Sequence, residues 1–220
     1  DIISLGVDGI NKLWRERKLR AVGMKRAESL YEAAVKSIGR REGNVGGRAE
    51  FRMLWEDYCH KMEQMEKLNI ELESLLHKVP QAEEVLKMKG IGVVSVAGFF
   101  AEVGDLRRFE SPKQIQKLAG LAIRENSSGK HKGQTTISKR GRARLRAVLF
   151  NAAIALVGRN GAFKSIHEYY IGRKANPLKK KQSIVAVSCK LIRIIYAICR
   201  HKEAYDEAKM LRDIRREQLA

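Results

Sequence analysis

A regular repeat of apolar residues in the middle of the chain restricts the fold more than any other feature. The repeat alternates steps of three and four residues, through Phe51, Leu54, Tyr58, Lys61, Met65, Leu68, Leu72, Leu75 and Val79. Because it is sustained over four heptads, it predicts a coiled coil at residues 48–79. We expect this helix to pair between chains and to make the protein a homo-oligomer; an antiparallel hairpin within one chain is the alternative. Lys61, the polar member, is typical of a residue that restricts register or oligomer state.

The composition predicts an all-α fold. Only three prolines occur among 220 residues, and the strong helix formers Ala, Leu, Lys, Arg and Glu are abundant. We expect a small N-terminal helical segment at residues 1–47 that ends in a flexible connector, and then the coiled coil. A C-terminal helical domain follows at residues 80–205 and a charged tail at residues 206–220. The tail is either an amphipathic helix or partly disordered.

Local patterns place individual helices. An N-terminal helix that includes Ala27 and Ile38 has Gly39 as its C-cap. Ser111 followed by Pro112 is typical of a helix start, and this helix should run to Leu118. Two later helices have apolar stripes that predict burial in a core. The first stripe is Leu145, Val148, Leu149, Ala152, Ala153 and Leu156; the second is Ile184, Val187, Leu191, Ile194, Ile195 and Ile198.

The charge of the chain points to nucleic acid as a partner. The sequence has 44 Lys and Arg residues against 25 Asp and Glu, a formal net charge of +19, and such self-repulsion is typical of proteins that bind a polyanion. A membrane surface is a less favoured partner because the positive charge falls in several separate stretches. The long apolar run at residues 184–199 contains Lys190 and Arg193 and is shorter than the ~20 residues that span a bilayer. It predicts a core helix and no membrane partner.

The cysteines and histidines predict no metal site. Cys59, Cys189 and Cys199 form no CxxC pair, and the five histidines are scattered, so we expect no zinc or other metal in this chain and a reducing cytoplasm, bacterial or archaeal, with association with the nucleoid. The sequence opens on Asp1 without an initiator Met or a signal peptide pattern, so we expect the natural N-terminus to lie upstream.

A glycine-rich turn follows the coiled coil. Residues 88–97 have the pattern of a helix-hairpin-helix motif, in which Gly90 and Gly92 allow a sharp turn and a close approach to phosphate. The amides at the start of the second helix would then point at that phosphate, helped by the helix dipole. With Lys89 beside the turn, the pattern predicts binding to a DNA backbone, although any turn between two helices can use such glycines.

The most basic part of the chain is residues 124–146. This stretch has a single acidic residue, Glu125. Its basic residues are Arg124, Lys130, Lys132, Lys139, Arg140, Arg142, Arg144 and Arg146. The first half, with the Ser127-Ser128 pair, predicts a loop, and the second half enters a helix. A loop with hydroxyls beside an arginine-lined helix start is suited to holding phosphate. A plain turn is the more common role of Asn-Ser-Ser-Gly, and a catalytic serine is the alternative.

Several short motifs then identify a family. They are Lys89-Gly90-Ile91-Gly92, Ala101-Glu102-Val103-Gly104-Asp105, Leu118-Ala119-Gly120-Leu121, Asn126-Ser127-Ser128-Gly129-Lys130, Ile137-Ser138-Lys139-Arg140-Gly141 and Asn176-Pro177-Leu178-Lys179-Lys180. In order and spacing they resemble the C-terminal region of the IS110 family of insertion-sequence transposases, over nearly the whole chain.

The resemblance implies one part of a two-part recombinase. In that family a RuvC-like N-terminal domain holds metal on an acidic tetrad, and a C-terminal transposase domain supplies a serine that attaches to a DNA strand end. The two meet across a dimer or tetramer built on a coiled coil, and a structured non-coding guide RNA, the bridge RNA, directs the choice of DNA. In this chain the nucleophile then falls on Ser128, with Ser127 as the adjacent alternative and Ser138 as a weaker one. The expected DNA-binding residues are Lys89, Gly90, Gly92, Lys130, Lys132, Lys139, Arg140, Arg142, Arg144 and Arg146.

One family feature is missing from the sequence. Asp8, Asp57, Glu102 and Asp105 stand in helical or turn contexts without the spacing of a strand-borne tetrad. We therefore expect no cofactor in this chain and Mg²⁺ on a domain upstream, where it would activate the serine hydroxyl. His131 is the local candidate for a base. The competing interpretation is a non-catalytic helix-hairpin-helix module that binds DNA and dimerises.

Overall fold

The computed structural model describes residues 2–20, 22–39, 44–124, 127–128, 131–132 and 135–218, with the backbone alone at 127–128, 131–132, 213 and 215–218. These ranges are dominated by α-helices, which confirms the all-α class. The helices are α1 (Ile2–Glu16), α2 (Met24–Val35), α3 (Asn44–Leu76), α4 (Ala82–Leu86), α5 (Val93–Val103), α6 (Pro112–Leu118), α7 (Ala143–Arg159), α8 (Gly161–Gly172), α9 (Lys180–His201) and α10 (Glu207–Gln218). A short 3-10 helix spans Leu106–Arg108, and the strands are β1 (Ile123–Arg124), β2 (Ser127–Ser128), β3 (His131–Lys132) and β4 (Thr136–Ile137).

The chain divides into two compact units, Asp1–Met62 and Glu63–Ala220. In the first unit α1 packs against α2, and Ile10 of α1 and Ala27 of α2 are buried. The prediction that α2 continues to Ile38 is wrong, because the helix ends at Val35 with Lys36 as its C-cap. Ile38 is fully exposed, so an extra turn would bury no apolar surface that could stabilise it.

The helix α3 is continuous over 33 residues. The predicted flexible connector covers residues 40–47. Residues 44–47 are helical instead, because α3 begins at Asn44, and residues 40–43 lie outside the described residues. Helix growth is cooperative, which lets one long helix include Gly46 and Gly47 despite their low helix propensity. The predicted seam faces solvent along most of its length: Leu54 is 61% exposed and Leu68 is 63% exposed. Pairing of this seam stays a prediction.

The second unit is built around α9. This helix packs against α6, α7 and α8 and buries the predicted stripe at Val187, Leu191, Ile195 and Ile198. The α7 stripe is also confirmed, with Leu145, Leu149, Ala152, Ala153 and Leu156 buried. By length and composition α9 is the one helix in the described part of the chain that could cross a membrane, but its apolar face lies in the core of this unit.

The charged tail forms α10, which is the helical alternative of the prediction. It packs on α8 and buries Met210 and Ile214. The buried Asn160 at the start of α8 accepts hydrogen bonds from the amides of Ala162 and Phe163, and its Nδ2 donates to Glu207 Oε1 at 3.0 Å. One side chain therefore caps α8 and holds α10 against it.

Candidate nucleic-acid interface

The predicted serine loop contains paired β-structure instead of an irregular loop. β1 pairs with β4, with Ile123 opposite Ile137, and β2 pairs with β3, with Ser127 opposite Lys132 and Ser128 opposite His131. Both pairings are antiparallel. The prediction of a plain loop is thus wrong, because the β-branched residues of β1 and β4, Ile123, Thr136 and Ile137, favour strand pairing. Residues 125, 126, 129, 130, 133 and 134, including the expected phosphate ligand Lys130, lie outside the described residues.

The pairing continues below β1 and β4 to the end of α6. Ser138 N donates to Ala122 O at 2.8 Å, Lys139 N to Gly120 O at 3.0 Å, and Arg142 N to Leu118 O at 2.7 Å. We call residues 118–124 and 136–142 the two arms of the hairpin base. Both arms are anchored to helices, since one follows α6 and the other leads into α7. The base therefore ties Ser127-Ser128 to the core of the second unit.

Two glycines let the arms approach closely. A Cβ at Gly141 would lie 2.3 Å from Leu118 O, and a Cβ at Gly120 would lie 2.9 Å from Arg140 O. Both glycines have positive φ, +140° at Gly141 and +69° at Gly120. Other residues are strained in such backbone conformations. The two arms can be this close only because neither position carries a side chain.

Two of the predicted DNA-binding arginines turn toward the protein. Arg146 Nη1 donates to Ala119 O at 3.1 Å and to Lys139 O at 3.4 Å. Arg142 donates from Nη1 to Glu102 O and lies 3.7 Å from the Glu102 carboxylate. The positive charge of Arg142 at the last turn of α5 also complements the helix dipole. Both side chains thus connect the start of α7 to neighbouring segments.

Three other cations at the start of α7 are exposed. Lys139 and Arg140 lie just before α7, and the side chain of Arg144 is 86% exposed, with Nε 3.6 Å from Glu102 Oε1. An exposed ion pair of this kind contributes little and exchanges easily for another anion. We call Lys139, Arg140 and Arg144 the α7 basic surface. It lies at the positive end of the α7 dipole, where a phosphate is favoured.

The glycine turn lies at the other end of α7. Lys89 and Gly92 are exposed between α4 and α5, and Gly92 is the N-cap of α5, with open space where a Cβ would be. Gly90, with φ of +102°, packs on α7: a Cβ there would lie 3.0 Å from Arg159 Cβ and 3.4 Å from Ala155 O. Gly90 therefore serves helix packing, and Gly92 and Lys89 are left to face a ligand. The helix-hairpin-helix assignment itself stays a prediction.

The structure does not bring all of the predicted DNA-binding residues together. α5 and α7 run antiparallel, since Gly90 lies near Ala155 whereas Glu102 lies near Arg144. Arg144 and Ala155 are eleven residues apart on α7, which is about 17 Å along the helix axis. The predicted DNA-binding residues that the structure describes therefore form two groups, the α7 basic surface at one end of α7 and Lys89 with Gly92 at the other, separated by roughly that distance.

The acidic residues described nearby are committed to ion pairs, Glu102 with Arg142 and Arg144 and Asp105 with Arg107. Asp105 accepts hydrogen bonds from Arg107 N at 2.9 Å and from Arg107 Nε at 3.1 Å, and these bonds lower the pKa of the Asp105 carboxyl. The same pair raises the pKa of the Arg107 guanidinium. Within the residues that the structure describes, no group of three or more His, Cys, Asp or Glu side chains is placed to hold a metal ion. The location of the metal stays a prediction.

Family comparisons agree with this part of the chain. Residues 82–170 match the family described as the transposase IS116/IS110/IS902 family. That range contains the glycine turn, the hairpin and the α7 basic surface, so all three features lie within the matched region. The match confirms the resemblance seen in the sequence motifs.

Individual relatives give the same result. The pilin gene-inverting protein of Moraxella bovis is 31% identical over 156 residues, which cover 67% of this chain and 47% of the relative. The transposase for insertion sequence element IS1111A of Coxiella burnetii is 27% identical over 61% of this chain and 37% of its own length. The 44.8 kDa protein of insertion element IS116 of Streptomyces clavuligerus is 23% identical over 83% of this chain and 46% of its own length. The chain thus spans less than half the length of these relatives.

Proposed function

We propose that this chain is the DNA-binding, serine-bearing part of a transposase that cleaves and joins DNA strands. The observation that carries the proposal is the placement of Ser128 in a hairpin whose base continues directly into the α7 basic surface. A hairpin with a hydroxyl beside an exposed cationic helix start suits a nucleophile that attacks a phosphodiester. The names of the relatives, a transposase and a gene-inverting protein, support the same reaction class.

The spacing between the two groups of predicted DNA-binding residues suits the backbone of one nucleic-acid duplex. Phosphates of one DNA strand repeat every 3.4 Å along the axis, so patches about 17 Å apart would contact phosphates roughly five steps apart. Lys139, Arg140 and Arg144 bind at one end, and Lys89 with the amides after Gly92 binds at the other. Lys130 and Lys132, which are close to Ser128 in sequence, add positive charge. These contacts hold the backbone and do not select a base sequence.

The other expectations from the family belong to the same proposal. A serine hydroxyl needs a base or a metal to become a nucleophile. Mg²⁺ on a RuvC-like domain outside this chain supplies that activation, with His131 as the local alternative. The exposed seam of α3 pairs with a second copy and so brings serine and metal domains together. A structured guide RNA is a further partner for the positive surface, and the protein acts in the cytoplasm at the nucleoid.

A substitution series in the complete transposase tests the nucleophile. Ser128→Ala removes one oxygen and no charge, so strand transfer should be lost while DNA affinity stays within about twofold. Ser127→Ala and Ser138→Ala are the matched controls and should retain strand transfer. Full strand transfer by the Ser128→Ala protein would contradict the assignment, and loss with Ser127→Ala alone would move the nucleophile by one residue.

The alternative is a binding and dimerisation module in which all chemistry lies elsewhere. The observation that favours it is the internal use of Arg142 and Arg146, which leaves fewer cations facing a reacting phosphate. Under this alternative, each of the three serine variants would transfer strands as well as the natural protein does. The same series therefore separates the two functions.

A further inference from the structure

We infer that Arg146 is a positioning residue that locks the base of the serine hairpin to the end of α6, and that it does not contact phosphate. The inference rests on the proposed function, because it concerns how the Ser128 hairpin is held for reaction. It differs from the expectation drawn from charge alone, which counts every arginine between residues 139 and 146 as a DNA ligand.

The geometry of the guanidinium supports the lock. Arg146 Nη1 reaches Ala119 O at 3.1 Å and Lys139 O at 3.4 Å. Ala119 lies on the first arm and Lys139 lies on the second arm, so one side chain on α7 bridges both arms of the hairpin base. Ala119 is fully buried, so bulk water replaces its lost donor poorly if Arg146 is removed.

The space around Arg146 is restricted as well. A Cβ at Gly120 would lie 2.9 Å from Arg146 Nη1, so the guanidinium occupies a place that a larger residue at position 120 would take. Both hydrogen bonds come from the same nitrogen, Nη1, whose two N–H groups can serve two acceptors. The arginine side chain reaches this nitrogen one bond farther out than lysine reaches its ammonium, so lysine replaces it less well. Arg146 is half-buried, whereas the side chain of Arg144, two residues earlier on α7, is 86% exposed.

Arg144 is therefore the matched control. The two arginines carry the same charge on the same helix, and they differ in whether the side chain faces the protein or the solvent. A residue that neutralises a phosphate contributes about 0.9 to the slope of log affinity against log salt concentration. A residue that only positions the hairpin leaves that slope unchanged, and its loss shows as faster amide exchange in the hairpin.

The experiment compares Arg146→Gln, Arg146→Lys, Arg144→Gln and Gly120→Ala in the 220-residue chain. One measurement is the salt dependence of affinity for a duplex DNA oligonucleotide. The other is hydrogen exchange of the amides of Ser138, Lys139 and Arg142, with the amides of α9 as the reference for global stability. Gly120→Ala changes no charge and disturbs the hairpin base directly, because its Cβ would lie 2.9 Å from Arg140 O as well as from Arg146 Nη1. It is the positive control for faster exchange at the base.

The expected results differ by variant. Both Arg146 variants and Gly120→Ala should speed exchange at the hairpin base by about 10- to 100-fold, with exchange in α9 and the salt slope unchanged. Arg144→Gln should reduce the magnitude of the slope by about 0.9, with exchange unchanged. If Arg146→Gln does not fold, Arg146→Lys, which keeps the charge, tests the lock through exchange at the hairpin base, and unchanged exchange in that variant then overturns the inference.

Two results would overturn the inference. One is a fall in the salt slope with Arg146→Gln that equals the fall with Arg144→Gln. The other is unchanged exchange at the hairpin base in both Arg146 variants. If the natural chain binds duplex DNA with no salt dependence, the proposed function fails instead, and the exchange measurement still decides whether Arg146 is the lock.

Discussion

The contact between the two hairpin arms leads to a quantitative prediction for Gly141→Ala. The new Cβ would lie 2.3 Å from Leu118 O and 2.8 Å from Gly120 N, both of them backbone atoms. Because backbone atoms cannot rotate away, the arms must separate and the 2.7 Å bond from Arg142 N to Leu118 O must lengthen or break. Loss of that bond costs about 0.5–1.5 kcal/mol, and the positive φ adds about 1–3 kcal/mol. We expect a destabilisation of about 2–4 kcal/mol.

Two other glycines separate these contributions. Gly104 has a φ of +71° with nothing within 4 Å of its Cβ position, so Gly104→Ala should show the conformational cost alone, about 1–3 kcal/mol. Gly158 lies in α7 with open space around its Cβ position, so Gly158→Ala should stabilise the helix by about 0.5–1 kcal/mol. From most to least stable, we expect the order Gly158→Ala, the natural chain, Gly104→Ala and Gly141→Ala.

The assay must report on the second unit. Both tryptophans, Trp14 and Trp55, lie in the first unit, so tryptophan fluorescence would follow the wrong transition. Hydrogen exchange of α7 amides at increasing denaturant concentration gives the free energy of opening directly. A cost for Gly141→Ala no larger than that for Gly104→Ala would show that the two arms are not in close contact at Gly141.

Three further predictions follow from other parts of the structure. Leu54→Lys with Leu68→Lys should convert a dimer to a monomer in sedimentation analysis, because both residues are exposed seam members; a monomeric natural chain at high concentration would contradict intermolecular pairing. Raising the salt concentration from about 50 to 200 mM should weaken duplex DNA binding by orders of magnitude for ~6 phosphate contacts, and an affinity flat in salt would contradict phosphate binding. Burial, helped by the charge of Glu207, raises the pKa of Tyr205 to about 12. Since the folded state then holds the phenolic proton more tightly, this contribution to stability is complete below pH ~10 and is lost as the pH rises toward 12. Tyrosinate absorbance should show one late titration that Tyr205→Phe removes; no late titration would contradict this burial effect.

Much of the helical fold could be predicted from local sequence signals. The helix after Ser111 begins at Pro112 and ends at Leu118, as its pattern predicts. The Ser111 side chain makes no capping bond; instead, Gln114 Oε1 accepts a hydrogen bond from Glu110 N at 3.0 Å. The predicted stripes of α7 and α9 are the ones that are buried, because helical periodicity depends only on residues three and four positions apart.

The hairpin and its lock could not be predicted in this way. Each strand has only two residues, which is too short for an alternating pattern to appear. The partners of Arg142 and Arg146 are contributed by segments 40 and 27 residues away in sequence, so charge alone suggested DNA ligands. The signal available in the sequence was the presence of a glycine on each arm, Gly120 and Gly141, since two arms in such close contact each need a position without a side chain.

The most direct test of the account is to locate the covalent bond between protein and DNA. The complete transposase is incubated with magnesium and DNA that carries the element's ends, the covalent complexes are trapped under denaturing conditions, and the digested peptides are analysed by mass spectrometry. The account predicts a nucleotide on the oxygen of Ser128 and no adduct in the Ser128→Ala protein. Strand transfer that proceeds without an adduct, or with an adduct on a residue outside the hairpin, would contradict the claim that this chain supplies the nucleophile.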